Sequence, residues 1–237
     1  MTLRIEKGES HWTITMNRPD KLNALSAGLV DALSDAFGEV AAMGVPLVAL
    51  RGEGRCLSAG FDMTGVEQQS EGDLLLRFVR IELLLQRIAA LPCLTVAFAQ
   101  GRNFGAGVDL FAACKMRVAT PDATFRMPGL KFGLALGTRR FAAIVGKENA
   151  RRLLETSATF GAAEAARIGF VEQVADIAQW PDAMATAGTR ATALPPKARG
   201  LLHEALSDGK QDIDLAVLVR SAAEAGIGRR IAEYLER

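Results

Sequence analysis

Two glycine-bearing segments hold the residues that could do chemistry in this chain. Residues 56–63 follow an apolar, strand-like run at 46–51, and residues 100–109 follow a second such run at 93–99. Each segment leads into a stretch with helical character, and the first turn of a helix carries backbone N–H groups without internal acceptors. Two such bends that face each other would form an oxyanion hole, which holds the negative oxygen of an attacked or enolised carbonyl.

Asp109 is the candidate acid or base beside these bends. Its neighbours from Val108 to Cys114 are apolar, so we expect a carboxyl in this short predicted helix to be at least partly buried. Burial disfavours the charged form and raises the pKa, which suits a group that exchanges protons near neutral pH. The alternative is that Asp109 faces solvent near the helix start, where the helix dipole favours a negative charge.

Both bends also have simpler interpretations. Residues 58–62 could be an ordinary loop in which Asp62 caps a helix, and residues 105–107 could be a close-packing point between a helix and a strand. Neither segment matches a nucleotide-binding motif, because no Lys-Ser or Lys-Thr pair follows and the pattern G-x-G-x-x-G is missing. The residues alone therefore suggest an oxyanion hole without establishing one.

The composition favours one large domain, or one domain with an appended element. The chain has 237 residues, 49% of them hydrophobic, and its net charge of +1 gives no reason to expect a nucleic-acid partner. Three cysteines and two histidines favour a reducing compartment and argue against disulfides and a metal site. Residues 1–6 do not resemble a signal peptide, and the apolar run 91–99 is too short for a membrane span. We therefore expect a cytoplasmic protein with no membrane partner.

An alternation of strands and helices must position the two bends. The pattern predicts an antiparallel hairpin from strands at 3–7 and 11–17, and further strands at 46–51, 93–99 and 116–119. It predicts helices after a cap at Ser26, at 73–91 (ending before Pro92), 107–114, 148–157, 162–168 and 196–207, and from 213 to 237 with interruptions at Gly226 and Gly228. The predicted inward residues are Leu29, Val30, Leu33, Phe37, Val40 and Ala41 after Ser26, and Leu76, Val79, Leu83, Leu84, Ile88 and Leu91 in helix 73–91.

Four segments resemble, in the same order, the enoyl-CoA hydratase/isomerase (crotonase) superfamily. Residues 15–25 resemble its N-R-P-x-K-x-N-A-L signature, and residues 52–62 its G-x-G-x-x-F-S-A-G-x-D signature. Residues 101–110 resemble its G-x-x-x-G-G-G-x-E-L segment, and residues 160–174 its T-G-x-x-x-x-A-E-A-x-x-x-G-L-V-x-x-V segment. The resemblance covers nearly the whole chain, from about residue 5 to about residue 210.

The resemblance implies an α/β fold, a crotonase-like spiral of ββα units with a helical C-terminal region. It implies a core at 1–194 that carries an acyl-CoA site, a helical trimerisation region at 195–237, and a homotrimer or dimer of trimers. The substrate is an acyl-CoA thioester, as in fatty acid metabolism, and no cofactor is needed beyond the coenzyme A of the substrate. Carried over by position, the oxyanion donors are the N–H groups of Phe61 and Ala106. The residues that line the CoA and acyl path are Leu22, Ala24, Ala59, Asp62 and Met63.

The acid/base residues depart from the family pattern. Family hydratases use two glutamates, and the position of the first is taken by Asp109, which is one methylene shorter. The second should follow the proline of an F-x-x-P-E segment, but Gly129 stands there. Alanine at position 106, where the family usually has glycine, keeps the N–H but adds a Cβ that either narrows the pocket or requires right-handed backbone. Because syn addition of water needs one group to take a proton and another to deliver one, we do not expect efficient hydration. Family isomerases usually keep the second glutamate too, so the resemblance does not imply a simple isomerase either.

Several reactions therefore stay open. Asp109 could act alone in double-bond isomerisation or slow hydration, the bends could serve thioester hydrolysis or decarboxylation, and the chain could bind acyl-CoA without catalysis. Glu53, Glu67 or Glu71 could supply a carboxylate only if the fold brings them close. We expect an acyl-CoA enzyme of enoyl-CoA hydratase/isomerase type with Asp109 as its acid/base. Candidate residues for an apolar acyl pocket, which could equally be core, are Phe61, Phe104, Met127, Leu134 and Leu136.

Overall fold

A six-stranded sheet lies at the centre of the computed structural model, which describes residues 2–207 and 209–236. The strands are β1 (Leu3–Lys7), β2 (Trp12–Met16), β3 (Leu47–Gly52), β4 (Leu94–Ala99), β5 (Arg102–Phe104), β6 (Met116–Ala119), β7 (Thr124–Arg126), β8 (Phe160–Gly161) and β9 (Gln173–Val174). The large sheet has the order β1-β2-β3-β4-β6-β9, and a small sheet has the order β5-β7-β8. The predicted hairpin of β1 and β2 is confirmed as an antiparallel pair.

The parallel pairing of β3 and β4 decides where the two bends lie. Leu47 pairs with Leu94 and Leu50 with Ala97, so both strands end at the same edge of the sheet. The chain therefore leaves both strands on one side, and the bends that follow them are brought together. Ligand sites in parallel sheets commonly form outside the carboxyl ends of the strands for this reason.

The strands alternate between two hydrophobic layers. Leu47 and Ala49 belong to a cluster on one face, which the helix at 180–192 covers, whereas Val48 and Leu50 belong to the main core on the other. Successive strand residues point to opposite faces. Because both faces are covered, the strand reads in the sequence as an unbroken apolar run.

Ten helices surround the sheet in the described residues. They are α1 (Ala27–Met43), α2 (Glu71–Ala90), α3 (Ala106–Ala113), α4 (Thr138–Val145), α5 (Lys147–Thr156), α6 (Ala162–Arg167), α7 (Trp180–Thr192), α8 (Pro196–Leu206), α9 (Gln211–Ala222) and α10 (Ile227–Leu235). Short 3-10 turns occupy Pro19–Lys21, Val66–Gln68, Gly129–Phe132 and Ile177–Gln179.

Helix α1 begins where its cap predicts. The side chain of Ser26 accepts a hydrogen bond from the N–H of Leu29, and Gly44 ends the helix in a left-handed conformation. Of the predicted inward residues, only Ala41 is wrong, because it is exposed. It lies one residue beyond Val40, a rotation of about 100° that carries it off the buried stripe.

The inward face of α2 differs from the prediction. Leu84, Ile88 and the following Leu91 are buried, but Leu76 and Leu83 are 48% and 47% exposed. Val79 is only half-buried. The side chains that face inward instead are Leu74, Phe78, Ile81 and Leu85. The many leucines of this helix allow more than one apolar stripe, and the stacking of Phe78 on Phe61, with ring centroids 4.4 Å apart, accompanies the one that is used.

The C-terminal helices share the main core. Leu218 of α9 and Ile227 and Ile231 of α10 are fully buried in it. Gly226 separates the two helices as predicted, but Gly228 lies inside α10, so the second predicted interruption is wrong. One glycine costs a helix only about 1 kcal/mol. The division of the chain at 194/195 remains a prediction.

Candidate active site

The bends after β3 and β4 meet at a cavity of about 250 Å³. Ala59 and Phe61 line it from the first bend, and Gly105, Ala106 and Asp109 line it from the second. The remaining lining residues are Met63, Phe78, Phe104, Met127, Pro128, Gly129, Leu130, Phe132, Leu134, Leu136, Thr138, Leu154, Tyr234 and Leu235. The chemistry-bearing residues of the two sequence segments thus share one mostly apolar cavity.

The N–H of Phe61 is free of bonds to the described residues. Leu25 forms a parallel bridge with Phe61, in which its N–H donates to the carbonyl of Gly60 and its carbonyl accepts from the N–H of Asp62. In a parallel bridge one residue bonds to the two that flank its partner, so the N–H of Phe61 points away from Leu25. Gly60 has φ +84°, and a Cβ there would lie 2.3 Å from the carbonyl oxygen of Phe104. Only glycine therefore permits this close approach of the two bends.

The N–H of Ala106 is the first of helix α3 and is likewise unbonded within the described residues, as expected of the first turn. The positive φ of this bend, +48°, falls on Gly105 and not on Ala106. Ala106 itself has right-handed backbone as the first residue of α3, so its Cβ requires no strained conformation. Alanine at position 106 was expected either to narrow the pocket or to require right-handed backbone, and the structure has the right-handed backbone.

Asn103 fastens the first bend to the second. Its side chain is buried, and Oδ1 accepts from the N–H groups of Leu57 at 3.1 Å and Ser58 at 3.4 Å. Its Nδ2 donates to the carbonyls of Gln100 and Gly101, both at 3.2 Å. One amide thus holds both bends, and a buried group with this many partners is costly to remove.

Asn23 and Ser58 hold the first bend from its other side. Asn23, at φ +53°, donates to the carbonyls of Glu53 and Cys56 at 2.9 and 3.1 Å. The hydroxyl of Ser58 donates to the carbonyl of Asn23 at 2.8 Å and accepts from the N–H of Gly60 at 3.1 Å. The peptide that precedes Phe61 is therefore fixed by side chains that themselves have defined partners.

Asp109 is buried, with 3% of its surface exposed, so the alternative in which it faces solvent is wrong. Its Oδ1 is enclosed and has no hydrogen-bond partner among the described residues. This oxygen lies against Gly137, where a Cβ would come within 1.8 Å of it. Because Asp109 also lines the cavity, Oδ2 is the oxygen that can meet a bound molecule.

The surroundings of Asp109 favour its protonated form. Burial raises the pKa of Asp109 well above its ordinary value, the charge of Arg140 lowers it in part, and the charge of Glu82 raises it. Nη2 of Arg140 pairs with Glu82 at 3.2 Å, so the cation whose charge acts on Asp109 is also paired with another carboxylate, although its Nη1 has no partner among the described residues. The predicted rise in pKa is thereby supported.

A turn of the backbone stands beside Gly129, where the family's second glutamate is expected. The N–H of Leu134 donates to the carbonyl of Gly129 at 2.9 Å, and a Cβ on Gly129 would lie 2.8 Å from the carbonyl oxygen of Leu134. Real Cβ atoms almost never come within 3.0 Å of another heavy atom. The turn from 129 to 134 is therefore fitted to glycine, and any side chain at 129 requires the turn to move.

The five residues predicted to line the CoA and acyl path separate into two groups. Ala59 and Met63 line the cavity. Leu22, Ala24 and Asp62 lie outside its lining. The carbonyl of Leu22 accepts from the N–H of Ala59 at 2.9 Å, and Arg18 donates to the carbonyl of Ala24 and to the carboxylate of Asp62. Leu22 and Ala24 therefore belong to the segment that is bonded to the first bend, and Asp62 lies within that bend. The predicted contact of these three residues with coenzyme A stays a prediction.

Asp62 is ionised in this setting. Burial on its own raises the pKa of Asp62, but hydrogen bonds from Thr64 and the charge and hydrogen bond of Arg18 outweigh it, and the net pKa is lowered. Its carbonyl also accepts from Arg77 at 2.6 Å. The guanidinium of Arg77 lies 4.0 Å from the centre of the Phe61 ring. Arg77 therefore contacts both Phe61 and Asp62.

The predicted acyl-pocket residues all line the cavity, whereas the glutamates left open do not. The lining includes Phe61, Phe104, Met127, Leu134 and Leu136. Glu53 pairs with Arg4, and Glu71 accepts from the N–H of Gly226 at the start of α10. The sequence reasoning missed Thr138 and Tyr234, the lining residues with hydroxyl groups. Thr138 follows Gly137 in the glycine-bearing stretch and could have been found there, but no local signal marks Tyr234.

No group of three or more metal-ligating side chains occurs in the described part of the chain. Cys56, Cys93 and Cys114 are buried free thiols. None of the helices within residues 2–207 and 209–236 has the length and apolar character needed to cross a membrane.

The chain is similar over almost its full length to proteins named as enoyl-CoA hydratases or isomerases. The family model described as Enoyl-CoA hydratase/isomerase matches residues 6–221. A solved structure from Bordetella parapertussis, described as an enoyl-CoA hydratase/isomerase, is 56% identical, with a TM-score of 0.99 over 100% of this chain and 99% of that one. A Mycobacterium leprae protein named as an enoyl-CoA hydratase is 29% identical over 95% of this chain and 94% of its own. The short-chain-enoyl-CoA hydratase of Clostridium acetobutylicum is 27% identical, covering 92% and 86%. These similarities confirm the predicted crotonase-like α/β fold.

Proposed function

Because the chain belongs to the enoyl-CoA hydratase/isomerase family, we propose that it isomerises the double bond of an enoyl-CoA thioester with one carboxyl group. The observation that carries the proposal is the position of Asp109, buried beside the same cavity as the unbonded N–H groups of Phe61 and Ala106. The family's enzymes act on enoyl-CoA substrates, and the finer assignment to isomerisation rests on the number of carboxyl groups at the cavity.

The N–H groups of Phe61 and Ala106 serve as the oxyanion hole. In a 3-enoyl thioester the proton leaves the carbon that lies between the carbonyl and the double bond. The electron pair of the broken C–H bond then delocalises onto the carbonyl oxygen and forms a dienolate. Two fixed N–H donors stabilise that charge without having to reorganise, and one such donor contributes about 3 kcal/mol to lowering a barrier. Gly60 and Gly107 permit the close approach of the two bends that carry these donors, because a Cβ would lie 2.3 Å from the carbonyl oxygen of Phe104 at the first and 2.4 Å from that of Ser58 at the second.

Asp109 carries the proton. In its ionised form Oδ2 takes a proton from one carbon of the acyl group, and the resulting carboxylic acid returns it to the carbon two positions away. The double bond moves, no atom is gained or lost, and Asp109 ends in its starting form. Hydration would need a second group to take a proton from water, and Gly129 supplies none.

A turnover screen tests this proposal. Purified protein is incubated with 2-enoyl-CoA and 3-enoyl-CoA esters of short, medium and aromatic acyl groups, and products of double-bond migration, hydration and thioester hydrolysis are measured together. We expect migration to exceed hydration, and Asp109→Asn to lower it at least 100-fold, since general acid–base catalysis contributes about 10²–10⁴. Unchanged migration in Asp109→Asn excludes Asp109 as the proton carrier. Release of free CoA as the main reaction identifies a hydrolase instead.

A second candidate function is acyl-CoA binding without catalysis. It is favoured by one observation, that burial holds the pKa of Asp109 well above its ordinary value and so depletes the ionised base. The same screen separates the two candidates when acyl-CoA affinity is measured alongside turnover. Affinity without any turnover, up to the highest pH at which the protein is folded, supports the binding role.

The remaining expectations concern the setting of the enzyme. We infer that the chain assembles as a homotrimer or dimer of trimers, acts in the cytoplasm in fatty acid metabolism, and needs no cofactor beyond the coenzyme A carried by its substrate. The family supports these inferences, and the exposed leucines of the C-terminal helices support the first. Nucleic acid is not an expected partner, because the net charge is only +1.

A further inference from the structure

The cavity beside Asp109 contains no cationic side chain in the described part of the chain. Its lining includes neither lysine, arginine nor histidine, and apart from Asp109 its polar side chains are the hydroxyls of Thr138 and Tyr234. An ionised group brought into such a site loses its hydration and gains no counter-charge, which is strongly unfavourable. The cation whose charge acts on Asp109, Arg140, is bound to Glu82.

The size of the cavity sets a second limit on the acyl group. An apolar cavity of about 150 Å³ is large enough for benzene, and this cavity measures about 250 Å³. It therefore has room for the reacting thioester carbons together with an aromatic ring or a hydrocarbon chain of similar bulk. The turn at 129–134 contributes Leu130, Phe132 and Leu134 to its wall, so the region beside Gly129 is apolar.

Helix α10 closes the cavity with Tyr234 and Leu235. Two hydrogen bonds anchor this helix to the rest of the fold. The N–H of Gly226 donates to Glu71 at the start of α2, and Arg230 donates to the carbonyl of Phe132 at 2.8 Å. The buried side chains of Ile227 and Ile231 fix its inner face. The wall is thus a defined part of the fold and not a loose terminal segment.

Tyr234 is the bulky side chain that α10 presents to the cavity. Its ring packs on Phe132 with centroids 5.4 Å apart. Arg230 passes so close to Gly133 that a Cβ there would lie 2.3 Å from its Nη1, which holds the turn carrying Phe132 against α10. The Tyr234 ring therefore has a fixed place, and its bulk limits how far an acyl chain can extend.

We propose that the site selects uncharged apolar acyl groups, aromatic or of medium length, and that Tyr234 determines the greatest length accepted. This inference rests on the proposed function as an acyl-CoA enzyme and narrows it. It also disfavours decarboxylation, because a substrate of that reaction must place a carboxylate in a cavity that offers it no cation.

Equilibrium affinities for saturated acyl-CoA esters test the proposal without requiring turnover. Butyryl-CoA and succinyl-CoA have acyl groups of four carbons and differ in one terminal carboxylate. We expect succinyl-CoA to bind at least tenfold more weakly. Equal affinity of the two esters overturns the exclusion of charged acyl groups. If neither ester nor any longer one binds better than free coenzyme A, the proposed function itself fails.

The length limit is tested with straight-chain esters of four to sixteen carbons and with benzoyl-CoA. We expect the wild-type affinity to reach an optimum at medium length and then to fall. Tyr234→Ala should move the optimum to chains longer by two or more carbons, whereas Tyr234→Phe, which keeps the ring, should leave the optimum where it is. A Tyr234→Ala protein that is folded by thermal unfolding and has the wild-type optimum overturns the role of Tyr234. An optimum that also moves in Tyr234→Phe assigns the effect to the hydroxyl and contradicts a limit set by bulk.

Discussion

The state of a single carboxyl, that of Asp109, decides what this site can do. Its Oδ1 is enclosed without a partner in the described structure, and burial raises its pKa well above the ordinary value. The resting group is therefore inclined to hold a proton, while proton removal from carbon needs the ionised form. Activity by the proposed route should rise with pH through the raised pKa and level off above it.

The same carboxyl makes the stability of the protein depend on pH. Its folded-state pKa lies above the unfolded value of about 3.9, so between the two values the folded protein holds the proton and the unfolded chain does not. The free energy of unfolding must then fall as pH rises through this interval and become constant above the folded pKa. Asp109→Asn has no charge to bury, and its advantage in unfolding free energy over the wild type should grow with pH. Urea unfolding of both proteins from pH 4 to pH 9 measures this difference.

A constant difference across that range would contradict the raised pKa of Asp109. The pH profile of turnover gives an independent check on the wild type, because it reports the same ionisation during catalysis. A rising profile together with a growing stability advantage of Asp109→Asn is the combination that the buried base requires.

Gly137 positions Asp109, and its substitution should abolish activity. Gly137 has φ +62°, and a Cβ there would lie 1.8 Å from Oδ1 of Asp109, so Gly137→Ala must displace the carboxyl. Gly44 is a matched control, because its φ is +64° and a Cβ there meets no atom within 4 Å. We expect both variants to lose about 1 kcal/mol of stability from backbone strain. Only Gly137→Ala should lose turnover per folded molecule, and equal turnover of the two variants would contradict the role of Gly137.

The sequence predicted the burial of the candidate acid/base better than it predicted the contacts that hold it. The burial of Asp109 was predicted from its apolar neighbours, and the structure confirms it. The contact with Gly137 joins residues 28 positions apart in the chain, and no local pattern reports such a distance. The role of Asn103 was not predictable from the sequence for the same reason, because its side chain bonds to backbone groups of both bends.

Among the elements, the turn from 129 to 134 explains why a glutamate cannot simply be introduced at position 129. A Cβ at 129 would meet the carbonyl of Leu134 at 2.8 Å. We expect Gly129→Ala and Gly129→Glu to lose about 1–3 kcal/mol through overpacking, and Gly129→Glu to gain no hydration activity. Gly188→Ala is the control, because a Cβ at this helical glycine meets nothing within 4 Å and should stabilise by up to about 1 kcal/mol. A stable Gly129→Glu protein with efficient hydration would show that the turn is not fitted to glycine.

The predicted helices agree with the structure in extent and less well in orientation, whereas α4 and α7 were not predicted at all. Helix α2 begins two residues earlier than expected, at a capping box formed by Ser70 and Asp73. Its inward stripe could not be chosen from hydrophobicity, because leucines occur on more than one of its faces. The orientation that is used stacks Phe78 on Phe61, and that contact joins α2 to the first bend.

For the whole molecule, the exposed apolar residues are the strongest indication of assembly. They concentrate on α8 and α9 and on α2, which packs against α9. Leu206 of α8 is 75% exposed, and Leu76 and Leu83 of α2 were expected inside but lie outside. Groups of exposed apolar side chains on otherwise soluble proteins commonly mark interfaces. The two leucines are consistent with burial between subunits, which the sequence of one chain cannot distinguish from burial within it.

If this surface joins three subunits, the wild-type protein should have a solution mass of three or six times 25.3 kDa by light scattering. A charge placed within the contact would be desolvated without a partner and should split the assembly, so Leu206→Glu is expected to give a smaller species at micromolar concentration. Ile177 is the comparison residue, because it is 56% exposed and belongs to the turn before α7 and not to α8 or α9. Ile177→Glu should therefore keep the wild-type mass.

A monomeric wild type would refute the trimer. An assembly that Ile177→Glu breaks while Leu206→Glu does not would place the contact on another face. Because α10 follows α9 directly and lines the cavity beside Asp109, we also expect acyl-CoA binding to weaken when Leu206→Glu splits the assembly.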